Sequence, residues 1–102
     1  MAHFEKVAEK KDLKPGECKV VAAGGRSVAL LNVGGTFCAL DNICPHQGGP
    51  LGEGLLEGET LTCPWHGWTF DVRTGACTFN PRAVVPVFQV KAEGNDVLVA
   101  CD

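Results

Sequence analysis

No apolar run in these 102 residues approaches the roughly 20 that carry a helix across a bilayer. From Met1 to Glu17 the chain is charged throughout and lacks the apolar stretch of an export signal, so a cytoplasmic protein with no membrane partner is expected. A basic footprint is missing too. Nine Lys and Arg face twelve Asp and Glu, for a net charge of −3, and apart from Lys10-Lys11 the cations are scattered, which argues against nucleic acid as a partner. Nowhere does a helical period persist over three turns, which removes helical bundles. Internal repeats, low-complexity tracts and linkers are absent, so one domain over residues 1–102 is expected. With 45% apolar and 21% charged residues, the composition is not that of a disordered chain.

What is present is a series of short apolar or alternating runs between turn residues. Strands are expected at Phe4 to Ala8, Cys18 to Ala22, Ser27 to Asn32, Thr36 to Asp41, Thr60 to Thr62, Thr69 to Asp71, Val87 to Ala92 and Val97 to Cys101. Pro15-Gly16, Gly24-Gly25, Gly34-Gly35, Thr74-Gly75 and Glu93-Gly94-Asn95-Asp96 supply the breaks, and Lys10 to Leu13 suits a single helical turn. Strands this short and closely spaced predict an all-β antiparallel sandwich or barrel.

Six cysteines, at 18, 38, 44, 63, 77 and 101, are enough for a small disulfide scaffold. Two of them read differently. Cys44 stands two residues before His46, and Cys63 three residues before His66, which is metal-ligand spacing. Cys18, Cys38, Cys77 and Cys101 fall in or beside apolar stretches and are expected to behave as small core or surface residues, with a disulfide or redox role as the alternative.

The regular strand pattern breaks between Asn42 and Trp68, where glycine, proline, Cys and His gather in two loops. One reads Cys44-Pro45-His46-Gln47-Gly48-Gly49-Pro50 and the other Cys63-Pro64-Trp65-His66-Gly67-Trp68. Sixteen residues separate His46 from Cys63, enough for a hairpin through Thr60 to Thr62 that brings the second loop beside the first. Two chemistries accept two Cys and two His. Zn²⁺ takes them tetrahedrally, and a [2Fe–2S] cluster of the Rieske type takes the two His on one iron. Zinc fingers usually pair Cys with Cys and His with His, whereas here each loop offers one of each, as a clamp on a two-iron object requires. Two ferric ions, two sulfides, two thiolates and two neutral imidazoles sum to zero charge, so an electron is accepted more readily than by a four-thiolate cluster.

The pair of loops resembles the Rieske ferredoxins and Rieske domains, whose pattern is C-x-H, about 15 to 17 residues, then C-x-x-H. The resemblance continues through Gly67-Trp68-Thr69-Phe70-Asp71-Val72-Arg73-Thr74-Gly75 and the strand order on both sides, and so covers essentially the whole chain. It implies a Rieske-like antiparallel β-sandwich or barrel with a small cluster-binding subdomain at about residues 42–86. It implies one [2Fe–2S] cluster held by Cys44, His46, Cys63 and His66. Gly48 and Gly67 would let backbone N–H groups approach the cluster sulfurs, or else serve only as tight turns. Trp65 and Trp68 are expected to pack around the cluster rather than to relay electrons. Pro81, within Thr78 to Pro86, matches a proline-containing loop that covers the cluster's third side, with a plain surface turn as the alternative.

Two departures narrow the resemblance. High-potential members carry a second Cys in each loop, joined as a disulfide; the matching positions here are Gly49 and Trp65. Those members also donate Ser and Tyr hydroxyls to cluster sulfurs, where this chain has Trp68 and Phe70. Fewer donors favour the oxidised form, so a potential in the lower part of the Rieske range, roughly −150 to +300 mV, is expected. It should fall further at alkaline pH as imidazole N–H groups titrate.

A cluster ligated only by protein has no open position for substrate, so an electron carrier is expected rather than an enzyme. The resemblance implies a donor, a flavin-dependent NAD(P)H reductase, and an acceptor, a terminal oxygenase such as a ring-hydroxylating dioxygenase, with the carrier itself a monomer. A small subunit of an assimilatory nitrite reductase, serving that enzyme's large subunit, is the second reading. A zinc-stabilised Cys₂His₂ interaction module is the third.

Overall fold

The computed structural model describes residues 3–44, 48–65 and 67–100, with Pro81 described by its backbone alone. Strand β1 (Phe4–Glu9) leads through a 3-10 turn at Lys10–Asp12 to β2 (Cys18–Ala23), β3 (Arg26–Val33) and β4 (Thr36–Asp41). A second 3-10 turn at Leu51–Glu53 precedes β5 (Leu55–Glu57), β6 (Thr60–Thr62), β7 (Thr69–Asp71), β8 (Ala76–Cys77) and β9 (Asn80–Val84). Strands β10 (Val87–Glu93) and β11 (Asp96–Ala100) return the chain to its beginning.

Two antiparallel sheets result. The larger runs β1-β11-β10-β4-β3-β2 and the smaller β5-β6-β7-β8-β9. Hairpin turns set the register of the larger sheet. Gly24 and Gly25 have φ of 57° and 77°, Gly34 and Gly35 φ of 60° and 100°, and two successive positive values make the turn whose twist matches paired strands. Hence Val21 faces Val28 across β2–β3, and Leu31 faces Cys38 across β3–β4. The sheet curls until its two edges meet: the Glu5 carboxylate on β1 accepts the Gly24 N–H, at the β2–β3 turn, at 2.8 Å.

The run Val28-Ala29-Leu30-Leu31 is apolar without alternation because both faces of β3 are covered. Val28 and Leu30 join Ala8, Leu13, Val21, Ala23, Ala39, Val97 and Val99 inside the curled sheet. Ala29, Leu31 and Leu40 point the other way, onto Leu51, Leu56, Leu61, Phe70, Val72 and Val85 of the second layer. The smaller sheet is thereby fixed on the outer side of β3 and β4.

The expected strands are present with ends within one or two residues, except that the last ends at Ala100, and Cys101 lies outside the described residues. Three strands had not been expected. Leu55–Glu57, Ala76–Cys77 and Asn80–Val84 are short and poor in β-branched residues, and they become strands by pairing with neighbours already in place. The segment expected to be a loop or turn around Pro81 is therefore strand β9, on the free edge of its sheet, where a missing N–H costs no ladder bond.

Candidate functional site

The two loops singled out by their Cys and His are built alike. In the first, the Cys44 N–H donates to the Gly49 carbonyl five residues on, at 2.9 Å; in the second, the Cys63 N–H donates to the Trp68 carbonyl, again five residues on, at 2.7 Å. Four residues after each Cys stands a glycine of positive φ, Gly48 at 76° and Gly67 at 72°, which lets each loop turn back on its own cysteine.

Each loop is seated differently. The first leaves β4 through Asn42, a buried polar residue whose N–H donates to the Ser27 carbonyl at 3.0 Å. The Asn42 carbonyl accepts the Leu51 N–H at 2.8 Å and its Oδ1 accepts the Gly52 N–H at 2.7 Å, so both feet of the loop are tied to the larger sheet. A bridge between Ile43 and Pro50 closes the neck. The second loop joins β6 to β7, whose pairing of Thr62 with Thr69 fixes its width. Beyond it, the Thr69 and Thr78 hydroxyls bond to one another, and the Trp68 ring meets the edge of Phe79 with centroids 5.2 Å apart.

This arrangement brings Cys44 and Cys63 together. Both are buried, at 1% and 2% exposure, in the same apolar cluster as Phe70, and their thiols are hydrogen-bonded to each other. Burial pushes the Cys63 thiol above its ordinary value; the Trp65 backbone N–H, bonded to its sulfur, acts against this, and the neighbouring Cys44 thiol adds to it. Two thiols at this depth can become ligands only by losing their protons, and a pair of thiolates held that close outside water is stable only beside a cation. Iron supplies that charge, so this donor pair fits an iron–sulfur group.

His46 and His66 lie outside the described residues, as do Pro45 and Gln47. Among the described residues no group of three or more His, Cys, Asp and Glu gathers. Of the two readings of Gly48 the structure favours the tight turn, its N–H being committed to the Cys44 carbonyl at 2.8 Å. One amide that reaches a cysteine sulfur is Trp65's, which sequence reasoning missed; the signal was Pro64, whose fixed φ starts the turn that aims the next N–H back at Cys63. Gly49 and Trp65, which match the disulfide positions of high-potential relatives, face one another across the loops. A β-carbon built on Gly49 would stand 3.1 Å from the Trp65 ring. Of the remaining cysteines, Cys18, Cys38 and Cys77 are free thiols.

The Rieske [2Fe–2S] domain family matches residues 3–93. The chain belongs to that family. Its cofactor is accordingly one [2Fe–2S] cluster of the Rieske type. Over 95 residues this Rieske chain is 42% identical to the ferredoxin component of biphenyl 2,3-dioxygenase from Rhodococcus jostii strain RHA1, covering 92% of this chain and 89% of that protein. It is 39% identical over 94 residues to apoptosis-inducing factor 3 of Homo sapiens, covering 91% of this chain but only 16% of that longer protein. The ferredoxin of carbazole 1,9a-dioxygenase from Nocardioides aromaticivorans IC177 has a TM-score of 0.88 at 32% identity, with 99% of this chain and 100% of that chain covered. A structure described as a complex of reduced oxygenase and oxidised ferredoxin in carbazole 1,9a-dioxygenase matches with a TM-score of 0.86 at 35% identity, covering 95% of this chain and 92% of that chain. No helix among the described residues is long and apolar enough to cross a membrane.

Proposed function

We propose that this protein is a one-electron carrier whose cluster is held by Cys44 and Cys63 on one iron and by His46 and His66 on the other. The observation that carries the reading is the meeting of two buried thiols from two loops of matching build. When bound, the cluster takes up and gives back one electron. The chain's own part is to hold it and set its ease of reduction. Cys44 and Cys63 supply the thiolates, and the Trp65 N–H bonded to the Cys63 sulfur stabilises added negative charge. Phe70, at the position where hydroxyl-rich relatives would place a donor, is fully buried and offers none, which keeps the potential in the lower part of the Rieske range.

The donor is a flavin-dependent NAD(P)H reductase and the acceptor a terminal oxygenase such as a ring-hydroxylating dioxygenase. The ferredoxin components among the relatives, one of them in complex with its oxygenase, support the carrier reading over a nitrite reductase subunit. The carrier acts as a cytoplasmic monomer, a single Rieske domain over residues 1–102 with its cluster part at about 42–86. Electron delivery from such a reductase to a mononuclear-iron oxygenase is the expected outcome in reconstitution, and binding to a sirohaem subunit would favour nitrite reductase instead.

The test of the cofactor site is the optical and EPR spectrum of the dithionite-reduced protein, with iron and labile sulfide assayed. A Rieske signal is expected, lost in His46→Ala and in His66→Ala, with a midpoint below about +100 mV when the signal is titrated. A colourless, iron-free protein would favour the zinc module, and a normal signal in either variant would remove that histidine from the ligand set.

A further inference from the structure

Gly49 is a glycine for an uncommon reason. Its backbone does not lie in the left-handed region, unlike Gly48 and Gly67, so nothing in its conformation excludes a side chain. Space excludes it. A β-carbon there would lie 2.8 Å from the Cys63 Sγ and 3.1 Å from both Cγ and Cδ2 of Trp65. The main chain of the first loop thus presses on the thiol and on the indole of the second.

Of these partners, the thiol is the less able to yield. Its sulfur is bonded to the Trp65 N–H, and its backbone N–H is bonded to the Trp68 carbonyl. The Trp65 side chain has room on its outer side, being 49% exposed, so its ring would be the part to lift. Its inner edge meets Gly49 at the place where the buried Cys63 sulfur also lies.

We propose that Gly49 and Trp65 form a steric interlock across the two loops that sets the position of the Cys63 sulfur and shields it from solvent and chelators. Both act as positioning residues, through Cys63. The inference rests on the cluster assignment above and goes beyond it, since the ligand set says nothing of what holds the loops to one another without a disulfide.

The test follows bleaching of the visible spectrum of the intact holoprotein in excess EDTA, together with the reduced EPR spectrum and far-UV circular dichroism. Trp65→Ala and Gly49→Ala are each expected to bleach on the order of tenfold faster than the unaltered protein while keeping its dichroism. The double variant should bleach less fast than the two single effects multiplied, because both substitutions act on the one contact between the loops. Trp65→Phe, which keeps a ring over Gly49, should stay within about twofold of the unaltered rate. Gly49→Ala should also shift the EPR g-values, since even with the ring lifted its β-carbon stands against the sulfur that binds iron, which a change in overall stability alone would not do.

An unchanged rate in Trp65→Ala, equal rates for its Phe and Ala variants, or effects that simply multiply in the double variant would each overturn the interlock while leaving the cluster assignment in place. Absence of a Rieske spectrum from the unaltered protein would overturn both.

Discussion

A buried thiol keeps its proton unless some other positive charge replaces it, and this chain treats its cysteines in two ways. Cys44 and Cys63 are placed together. Cys18 and Cys38 are placed apart, each half-buried at the junction of the two sheets, the first donating to the Gly54 carbonyl at 3.3 Å. Burial pushes the Cys18 thiol up, with Glu17 adding to it; burial also pushes up Cys38, with Arg73 opposing and Glu59 adding. Thiolate is the nucleophile, and a raised pKa means less thiolate at any given pH below it. Alkylation of Cys18 and Cys38 by iodoacetamide in the native holoprotein should therefore be slower at pH 8 than that of free cysteine. Its pH–rate profile should be displaced to higher pH, as followed by peptide mass spectrometry. Reaction at the ordinary rate would show that neither thiol sits as described. The same scale shows what spacing could reveal. A C-x-H and a C-x-x-H motif name a ligand set because ligand chemistry constrains residue type. The amide of Trp65 and the clamp of Asn42 are hydrogen bonds made by the fold, and no residue type announces them.

At the scale of elements, the legible strands were those whose sequence carries the pattern by itself. Strands β2, β3, β4, β10 and β11 are long enough to show apolar runs bounded by glycine turns. Strands β5, β8 and β9 are held by what they lie against, and β8 is only two residues long. Two residues carry much of that smaller sheet. Phe70 is fully buried and pairs with Leu61 on one side and Cys77 on the other. Gly75, at φ 79°, has no room for a β-carbon, which would meet the Val85 carbonyl, and its N–H donates to the Asp71 carbonyl. Phe70→Ala should cost about 3–5 kcal/mol as a core cavity. Gly75→Ala should cost about 3 kcal/mol, through backbone strain and the clash together. Denaturant unfolding of the variants beside the unaltered protein measures both. A loss under 1 kcal/mol at Gly75 would mean that the loop behind β8 is freer than its hydrogen bonds indicate.

At the scale of the molecule, the ion pairs among the described residues do little to hold it together. The ion pairs Lys6–Asp96, Lys11–Glu9, Arg26–Asp41, Arg73–Glu59 and Lys91–Glu93 all retain solvent on at least one partner's side chain. Pairs of that kind contribute about 0–1 kcal/mol each and are screened by salt. The thermal midpoint of the holoprotein is therefore expected to move by less than about 4 °C between low and high sodium chloride, read by circular dichroism. A larger fall would assign the charges a structural weight that their exposure denies them.

The seam of the larger sheet joins β1 to β11, the first described strand to the last, with Phe4 opposite Ala100 and Glu5 opposite Val99. During synthesis β1 has no partner in this sheet until β11 has been made. Cys44 and Cys63 leave the ribosome well before that, on loops whose anchoring strand β3 belongs to a sheet still missing two of its six members. A chain stopped before Asp96 would therefore carry both thiols but lack β11, the strand that holds β1 in the sheet.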